Sequence, residues 1–490
     1  NTINVKSMAG MFNSCNKLEA IDVSKFDTSN VQWMQGMFRN CSILTELNLS
    51  NFNTSNVVNM DEMFLGCSGL TKLDLSAFDT SKVEYMSSMF GECTGLVELN
   101  VSKFNTASVM YMGNIFYNCS SLTSLDVSSF NTAKVKKMNG IFFGCSSLSA
   151  IDVSGFDTSS AEEIHYMFYK CSSLTSLDLS NFRTGNATNM DAMFSGCSGL
   201  TRLNLSTFNT SKATYMTNMF YDCSRLTELT VSSFNTENVG YMGDMFKGCS
   251  SLTALDLSSF KTANVKAMYG MFSGCSKLTT LDLSNFVTAD GINAGDLFKD
   301  TQELASIKIG AGFSLDLPQK TGTSVTTGAT YSGKWIAQSD KSVYANNAYP
   351  KGAVDTYSAQ LSYTLSFDTQ EGSAPPESKL VVVGDKVAPV GDPEKTGCTF
   401  NGWFKEAECI NAWIFSKDTM PAHDLTLYAS WSTSVLTVTF QTNGGSAIDP
   451  AKVDYGAKLT APTPPLRQGY TFVGWYRDRL QFLGISLLTP

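Results

Sequence analysis

The sequence predicts an α/β solenoid of 26-residue coils, each a short parallel strand followed by a short helix, and then a small β-rich segment and two small β modules. Three observations carry that expectation. Cysteines recur at Cys15, Cys41, Cys67, Cys93, Cys119, Cys145, Cys171, Cys197, Cys223, Cys249 and Cys275, every 26 residues without a slip. Each interval combines an alternating apolar stretch with one spaced at three to four residues. Beyond about residue 310 the period stops and a different motif appears twice. A fixed period of this length is the signature of stacked repeats, each of which buries its apolar face only against its neighbours.

One coil reads Cys67-SGLTKLDLSAFDTSKVEYMSSMFGE. Leu70, Leu73, Leu75 and Phe78 alternate at their centre, as on a strand with one buried face, whereas Val83, Met86, Met89, Phe90 and Cys93 recur as on a helical face. Thr80 stands where a helix N-cap belongs, and Thr54, Thr106, Thr132, Thr158, Thr184, Thr210, Thr236, Thr262 and Thr288 repeat it. Strands stacked about 4.8 Å apart over these coils make a parallel sheet about 50 Å long, enough to meet a whole protein. Thr301 occupies the next cysteine slot and marks a terminal coil, and the chain opens part-way through a coil, at the capping slot of Thr2.

The repeat unit MFxxCSxLTxLDLSxFxTSxVxxM resembles the leucine-rich-type repeats of BspA-like bacterial surface proteins over about residues 1–310. That resemblance implies display and binding rather than chemistry. Residues 311–361 (TGTSVTTGATYSGKWIAQSD at their centre) read as a β-rich cap or linker anchored by Trp335, Tyr344, Tyr349 and Tyr357. Residues 362–432 and 433–490 then carry YTLSFDTQEGS…TGCTFNGWF and LTVTFQTNGGS…RQGYTFVGWY. Phe400, Gly402 and Trp403 match Phe472, Gly474 and Trp475. These two segments resemble the Listeria-Bacteroides repeat, the B-repeat of internalin-type proteins, which implies a small β-grasp-like module. The second copy departs from its sibling after Trp475, where Leu480, Phe482, Ile485, Leu487 and Leu488 form an apolar tail and an aggregation liability.

Composition excludes several functions. A formal charge of -9 with only 16% charged residues and no Lys/Arg-rich tract lacks the electrostatic footprint of nucleic-acid binding. No run approaches 18 apolar residues, so no transmembrane segment is expected in this stretch. His165 and His423 are the two histidines and fall in different segments, so no Ser-His-Asp or Cys-His centre assembles; no P-loop, dinucleotide turn or HExxH occurs. The expected protein is not an enzyme and has no catalytic residues, no cofactor and no metal. The cysteine ladder has no CxxC, and side chains that point the same way on successive coils do not bridge, so buried free thiols are expected. Cys398 and Cys409 lie apart from the ladder and are left open as a pair.

If the task is binding, specificity belongs where the coils differ. The slot before the second strand leucine holds Glu46, Lys72, Glu98, Arg202 and Glu228, with small residues between them, and should lie on a concave face. Beside it runs an acidic column that includes Asp74, Asp126 and Asp178 and is interrupted by Asn48, Asn100 and Asn204. It is read either as a cation or basic-ligand row, or as carboxylates bonded to the serines that follow, the second being favoured because asparagines interrupt it. A rank of aromatics, Trp33, Tyr85, Tyr111, Tyr215 and Tyr241, should lie on the helical side. The expectation is an adhesin-type protein that is extracellular, at the cell surface or cell-wall attached, with any leader and anchor outside this stretch, and whose solenoid face binds a host or neighbouring-cell protein. The alternatives are a structural stalk and a glycan-binding surface protein that uses the aromatic rank.

Overall fold

In a computed structural model the described residues, 2–476, form two compact units. The first comprises residues up to 320 together with 333–359, and the second comprises 321–332 together with the residues from 360 onward.

The first unit is a β-solenoid of 26-residue coils. Its inward columns are those the periodicity marks: Leu70, Leu73, Leu75, Phe78, Val83, Met86, Met89, Phe90 and Cys93 are all buried, and their counterparts recur along the array. Two parallel ladders join the coils. One is the strand column, as in Lys72–Asp74 beside Glu98–Asn100 and Arg202–Asn204 beside Glu228–Thr230, with only the central Leu73, Leu99, Leu203 and Leu229 turned inward. The other is a run of single bridges from Ser7 through Trp33, Asn59, Tyr85 and Tyr111 to Asn293.

The expected helix after each strand is absent: among the described residues every assigned element is a strand. The hydrogen bonds show why. Along residues 60–66, the amides of Met60, Glu62, Phe64 and Gly66 donate to Tyr85, Ser87, Met89 and Gly91 of the next coil, while those of Met63 and Leu65 close three-residue turns on Met60 and Glu62. An α-helix needs each of these amides bonded four residues back, and alternate ones are already committed to the neighbouring coil. Two slots per coil, four residues apart, also take positive φ. Glu62, Ser88, Asn114, Gly140, Tyr166, Ala192, Asn218 and Asp244 occupy the first, and Gly66, Glu92, Asn118, Gly144, Lys170, Gly196, Asp222 and Gly248 the second. Such φ interrupts a right-handed helix, and it explains the Gly, Asn and Asp at these slots. Consecutive three-residue turns put inward residues three to four apart, which imitates a helical face.

Thr80 and its kin are therefore not helix caps. The buried Thr106 hydroxyl donates to Asn131 O at 2.8 Å and accepts the Asn131 amide at 2.7 Å. Thr28, Thr80, Thr210, Thr236 and Thr262 make the same two bonds to the coil that follows. The hydroxyl stands in for a missing ladder rung at a corner where the backbone strands have parted.

Inside, phenylalanines stack from coil to coil. Phe64, Phe90, Phe116, Phe142 and Phe168 have ring centroids 5.5–5.9 Å apart and interplanar angles of at most 17°. The cysteine column runs beside them as free thiols, and those from Cys41 to Cys275 each donate to a phenylalanine carbonyl of the preceding coil, for example Cys93 Sγ to Phe64 O at 3.1 Å. Burial pushes the Cys145 and Cys223 thiols up to about 12, so they are protonated and unreactive at neutral pH. A thiol-specific chromophoric reagent should thus titrate three cysteines in the native chain, the half-buried Cys15, Cys398 and Cys409, and all 13 after denaturation. Rapid native reaction of more than three would show that the array opens.

The array ends on a cover. Thr280–Leu283 pairs in parallel with Ser306–Ile309, whose other edge pairs antiparallel with residues 355–358, and a hairpin of Thr330–Ala337 and Val343–Ala345 packs the fully buried Trp335 beside it. Lys320 buries its ammonium and donates to the carbonyl oxygens of Thr301 and Gln302, closing acceptors of the last coil.

In the second unit, residues 362–365 pair antiparallel with Lys379–Val382 and residues 365–368 pair parallel with Leu425–Thr433, which in turn pairs antiparallel with Cys398–Phe404. No helix accompanies this sheet among the described residues, so the β-grasp-like expectation is not met. The spacing Phe400, Gly402, Trp403, which the chain repeats at Phe472, Gly474 and Trp475, is a bulge here. The register shifts between Phe400 and Gly402, Gly402 takes φ +120°, and Trp403 turns inward against Phe367 and Phe400. The second copy keeps that aromatic trio, with Trp475 against Phe440 and Phe472 and Gly474 at φ +143°, beside a two-stranded sheet of Val435–Val438 and Ala451–Asp454. The apolar tail from Leu480 to Leu488 lies outside the described residues.

Candidate functional site

On the strand ladder the coil-to-coil variation faces outward. Glu46, Lys72, Glu98, Arg202 and Glu228 are all exposed, while of the leucines between them and the acidic column Leu73, Leu99 and Leu203 are buried and Leu47 and Leu229 half-buried. The structure brings four of the five together in pairs: Lys72 with Glu98 at 2.5 Å and Arg202 with Glu228 at 3.1 Å, each joining adjacent coils. Exposed ion pairs of this kind contribute about 0–1 kcal/mol, so their interest is as surface chemistry rather than as support. A groove of about 760 Å³ opens over four coils, with Lys72, Asp74, Glu98, Asn100, Ser124, Asp126, Ala150 and Asp152 around it. Small side chains at Ser124 and Ala150 leave one end of it unfilled, beside the Lys72 and Glu98 pair at the other.

The acidic column is explained by turns. Asp74, Asp126 and Asp178 are exposed, and each accepts the backbone amide of the serine two residues on, Ser76, Ser128 and Ser180, at 2.9–3.0 Å. Asn48, Asn100 and Asn204 accept from Ser50, Ser102 and Ser206 in the same way. This is an Asx-turn, which requires only one acceptor oxygen, and so the two residue types interchange. The bonds from Ser76 hold the Asp74 carboxyl below the usual range, as Ser128 and Ser180 do for Asp126 and Asp178. Among the described residues no group of three His, Cys, Asp or Glu is placed to hold a metal ion.

These shifts fix a pH dependence. A carboxylate whose folded pKa lies below its unfolded value of about 3.9 contributes stability that is complete above that value and is lost as pH falls through the folded pKa. Asp22, Asp74, Asp126, Asp152, Asp178, Asp256 and Asp282 all shift down, whereas burial raises Asp61 and Asp191, which act oppositely. Thermal melts followed by circular dichroism should therefore hold their midpoint from pH 7 to about pH 4 and drop below it. A midpoint unchanged down to pH 2 would exclude the turns as a source of stability.

The aromatic rank lies on the second ladder, not on a helix. Trp33, Tyr215 and Tyr241 are exposed and Tyr85 and Tyr111 half-buried. Tyr85 stacks on Tyr111 at 5.4 Å, and Tyr215 on Tyr241 at 5.3 Å, so the rings both lean on neighbouring coils and remain open to solvent. A further aromatic run, Tyr117, Phe143 and Tyr169, has ring centroids 4.7 and 4.4 Å apart; it is absent from the expected site residues, and its 26-residue spacing is the signal that marks it.

Comparison with known proteins follows the same division of the chain. Over 120 residues it is 38% identical to a putative membrane protein of Evansella cellulosilytica, a match covering 24% of this chain and 18% of that protein. Over 133 residues it is 33% identical to internalin H of Listeria monocytogenes, covering 27% and 23%. The matched stretches thus span under a quarter of these relatives' own lengths. A leucine-rich repeat protein from Bacteroides ovatus, of known crystal structure, matches 61% of this chain and 80% of its own at 20% identity and a TM-score of 0.29. No enzyme family is among the family matches. Residues 363–430 and 437–481 match the Listeria-Bacteroides repeat domain. Residues 6–100, 86–204 and 188–309 match in three overlapping stretches that take in more than half of the chain, and the protein, a BspA-like array of leucine-rich-type repeats, belongs to the family described as "Mycoplasma protein of unknown function, DUF285".

Proposed function

We propose that this protein is displayed outside a bacterial cell and that its strand face binds a protein of a host or neighbouring cell. The observation that carries this reading is the confinement of chemical variety to outward slots. The coils repeat the same inward columns and the same serine and threonine positions, while Glu46, Lys72, Glu98, Arg202 and Glu228 give each stretch of the face its own charge pattern, with an open groove beside Lys72 and Glu98. A face used only as a spacer has no need of such variety. Patterned charges select partners and speed encounter more than they add affinity, which suits capture at a surface. The similarity to internalin H, and to a relative described as a membrane protein, supports placement at the cell surface.

The test is surface binding of the full chain to a panel of purified extracellular-matrix and epithelial surface proteins. The comparison variant carries Glu46→Gln, Lys72→Gln, Glu98→Gln, Arg202→Gln and Glu228→Gln together. Saturable binding that the variant loses, with its melting midpoint kept, supports the reading. Binding by neither, or equally by both, would leave the solenoid as a stalk or move recognition to another face.

A further inference from the structure

The chain has a second, longer period. Residues 59–70, NMDEMFLGCSGL, return as NMDAMFSGCSGL at 189–200, and SKVEYM at 81–86 returns as SKATYM at 211–216, always 130 residues, or five coils, apart. The structure repeats with them. Asn59 Oδ1 accepts the Asp61 amide and Asp61 accepts the Ser87 amide; Asn189 accepts from Asp191, and Asp191 from Thr217. Lys82 donates to Asn56 at 2.8 Å and Lys212 to Asn186 at 2.7 Å. On the bridge ladder the order Asn59, Tyr85, Tyr111 is matched by Asn189, Tyr215, Tyr241, with the tyrosine pairs stacked at 5.4 and 5.3 Å.

From this recurrence we infer that the bridge ladder carries two equivalent sites for a neutral polysaccharide, Asn59–Tyr85–Tyr111 and Asn189–Tyr215–Tyr241, about 24 Å apart at roughly 4.8 Å per coil. The charge on this ladder selects the ligand. Neither triplet contains an ion, and the two ladder positions between them, Lys137 and Glu163, cancel each other in a pair at 3.2 Å. Asp61 and Lys82 beside the first triplet, and Asp191 and Lys212 beside the second, are each already engaged in hydrogen bonds to neighbouring coils, so a charged partner finds no ion on the triplets themselves. A chain of neutral sugars needs none: its C–H faces pack on half-open phenol rings and its hydroxyls meet the phenol oxygens and the asparagine amides. Bonds from the Asp61 and Asp191 backbone amides hold Asn59 and Asn189 in place through the Oδ1 that each already commits. A ligand lying along the array reaches both sites, and joining two weak sites through one polymer raises apparent affinity by about 10²-fold or more. The first site has Trp33 two coils beyond Tyr85, whereas the corresponding slot of the second holds Glu163, so the first is the tighter.

The experiment uses the full chain with cellohexaose, xylohexaose, chitohexaose and mannohexaose, and the corresponding polymers, read by calorimetry and intrinsic fluorescence. Asparagine already occupies this ladder slot at 59, 189 and 293, so Tyr85→Asn and Tyr215→Asn are tolerated replacements. The expected result is two hexasaccharides per chain for at least one sugar, one for either variant, and none for the double variant. Affinity for the polymer should fall by about 10²-fold when either tyrosine is replaced, and the five-site strand-face variant should bind sugar as the parent does. Failure of every sugar to bind overturns the inference, as does binding indifferent to both tyrosines. Capture of a protein abolished by Tyr85→Asn or Tyr215→Asn would also overturn it, by assigning the ladder to a protein partner. Loss of protein capture in the strand-face variant bears on the other face alone.

Discussion

Replacing Thr106 by valine should cost the solenoid about 2–4 kcal/mol. The hydroxyl is fully buried and both donates to and accepts from Asn131 across the coil boundary. Valine keeps the shape and removes both bonds, leaving an amide and a carbonyl without that partner, each worth about 1–2 kcal/mol at this part-buried corner. Thr106→Ser keeps the oxygen and should cost less than about 1 kcal/mol. Coils in such arrays interact chiefly with their neighbours, so the loss should concentrate at one junction. Hydrogen exchange at the Asn131 amide should quicken by about two orders of magnitude in the valine variant while amides several coils away keep their protection. Equal stability of the valine and serine variants would remove the threonine clamp from the account.

Phe142→Ala should be costlier still, at about 3–5 kcal/mol. Its ring is fully buried and stacks on Phe116 at 5.9 Å, on Phe168 at 5.5 Å and near Phe156 at 6.4 Å. Truncation opens a cavity whose walls are the rigid rings of the adjoining coils, and the stacking lost adds about 0.5–1.5 kcal/mol per pair to the burial lost. Because the position lies near the middle of the array, urea unfolding of the variant should separate into two transitions, one for the coils on each side. Phe142→Leu, which refills most of the space, should restore a single transition. A single transition for alanine, shifted by less than 1 kcal/mol, would show that the column is not what couples the coils.

Much of this was readable from residue spacing. The cysteine period defines the coil, the leucine alternation defines the strand column, and both are found where the sequence puts them because each rests on one inward face that tolerates no slip. The helix was misread because three-residue turns and helical turns bring side chains inward at nearly the same interval. The discriminating signal was elsewhere: the alternation of Gly, Asn and Asp at slots such as Gly140, Gly144, Asn114 and Asn118 calls for positive φ, which a helix interior excludes. Tyr166, Glu92 and Lys170 hide that signal, since they adopt the same φ at a cost that the surrounding ladder overcomes. The threonine column is a corner clamp and not a row of caps, but a buried hydroxyl that bonds the next coil looks in one dimension like a cap. On the candidate site, spacing identified which residues face outward but not that Lys72 and Arg202 meet Glu98 and Glu228, since pairing depends on the parallel register that sets coil n beside coil n+1.

The Asx-turns beside the strand ladder separate architecture from electrical character. At each coil the backbone asks for one oxygen and is indifferent to whether a carboxylate or an amide supplies it, as Asp74 and Asn100 show on adjacent coils. The column is therefore a row of independently settable switches at roughly 4.8 Å intervals, each able to carry a negative charge or none while the turn beneath it stays the same. A lineage, or a designer, can rewrite the potential along that strip one coil at a time and leave the scaffold untouched.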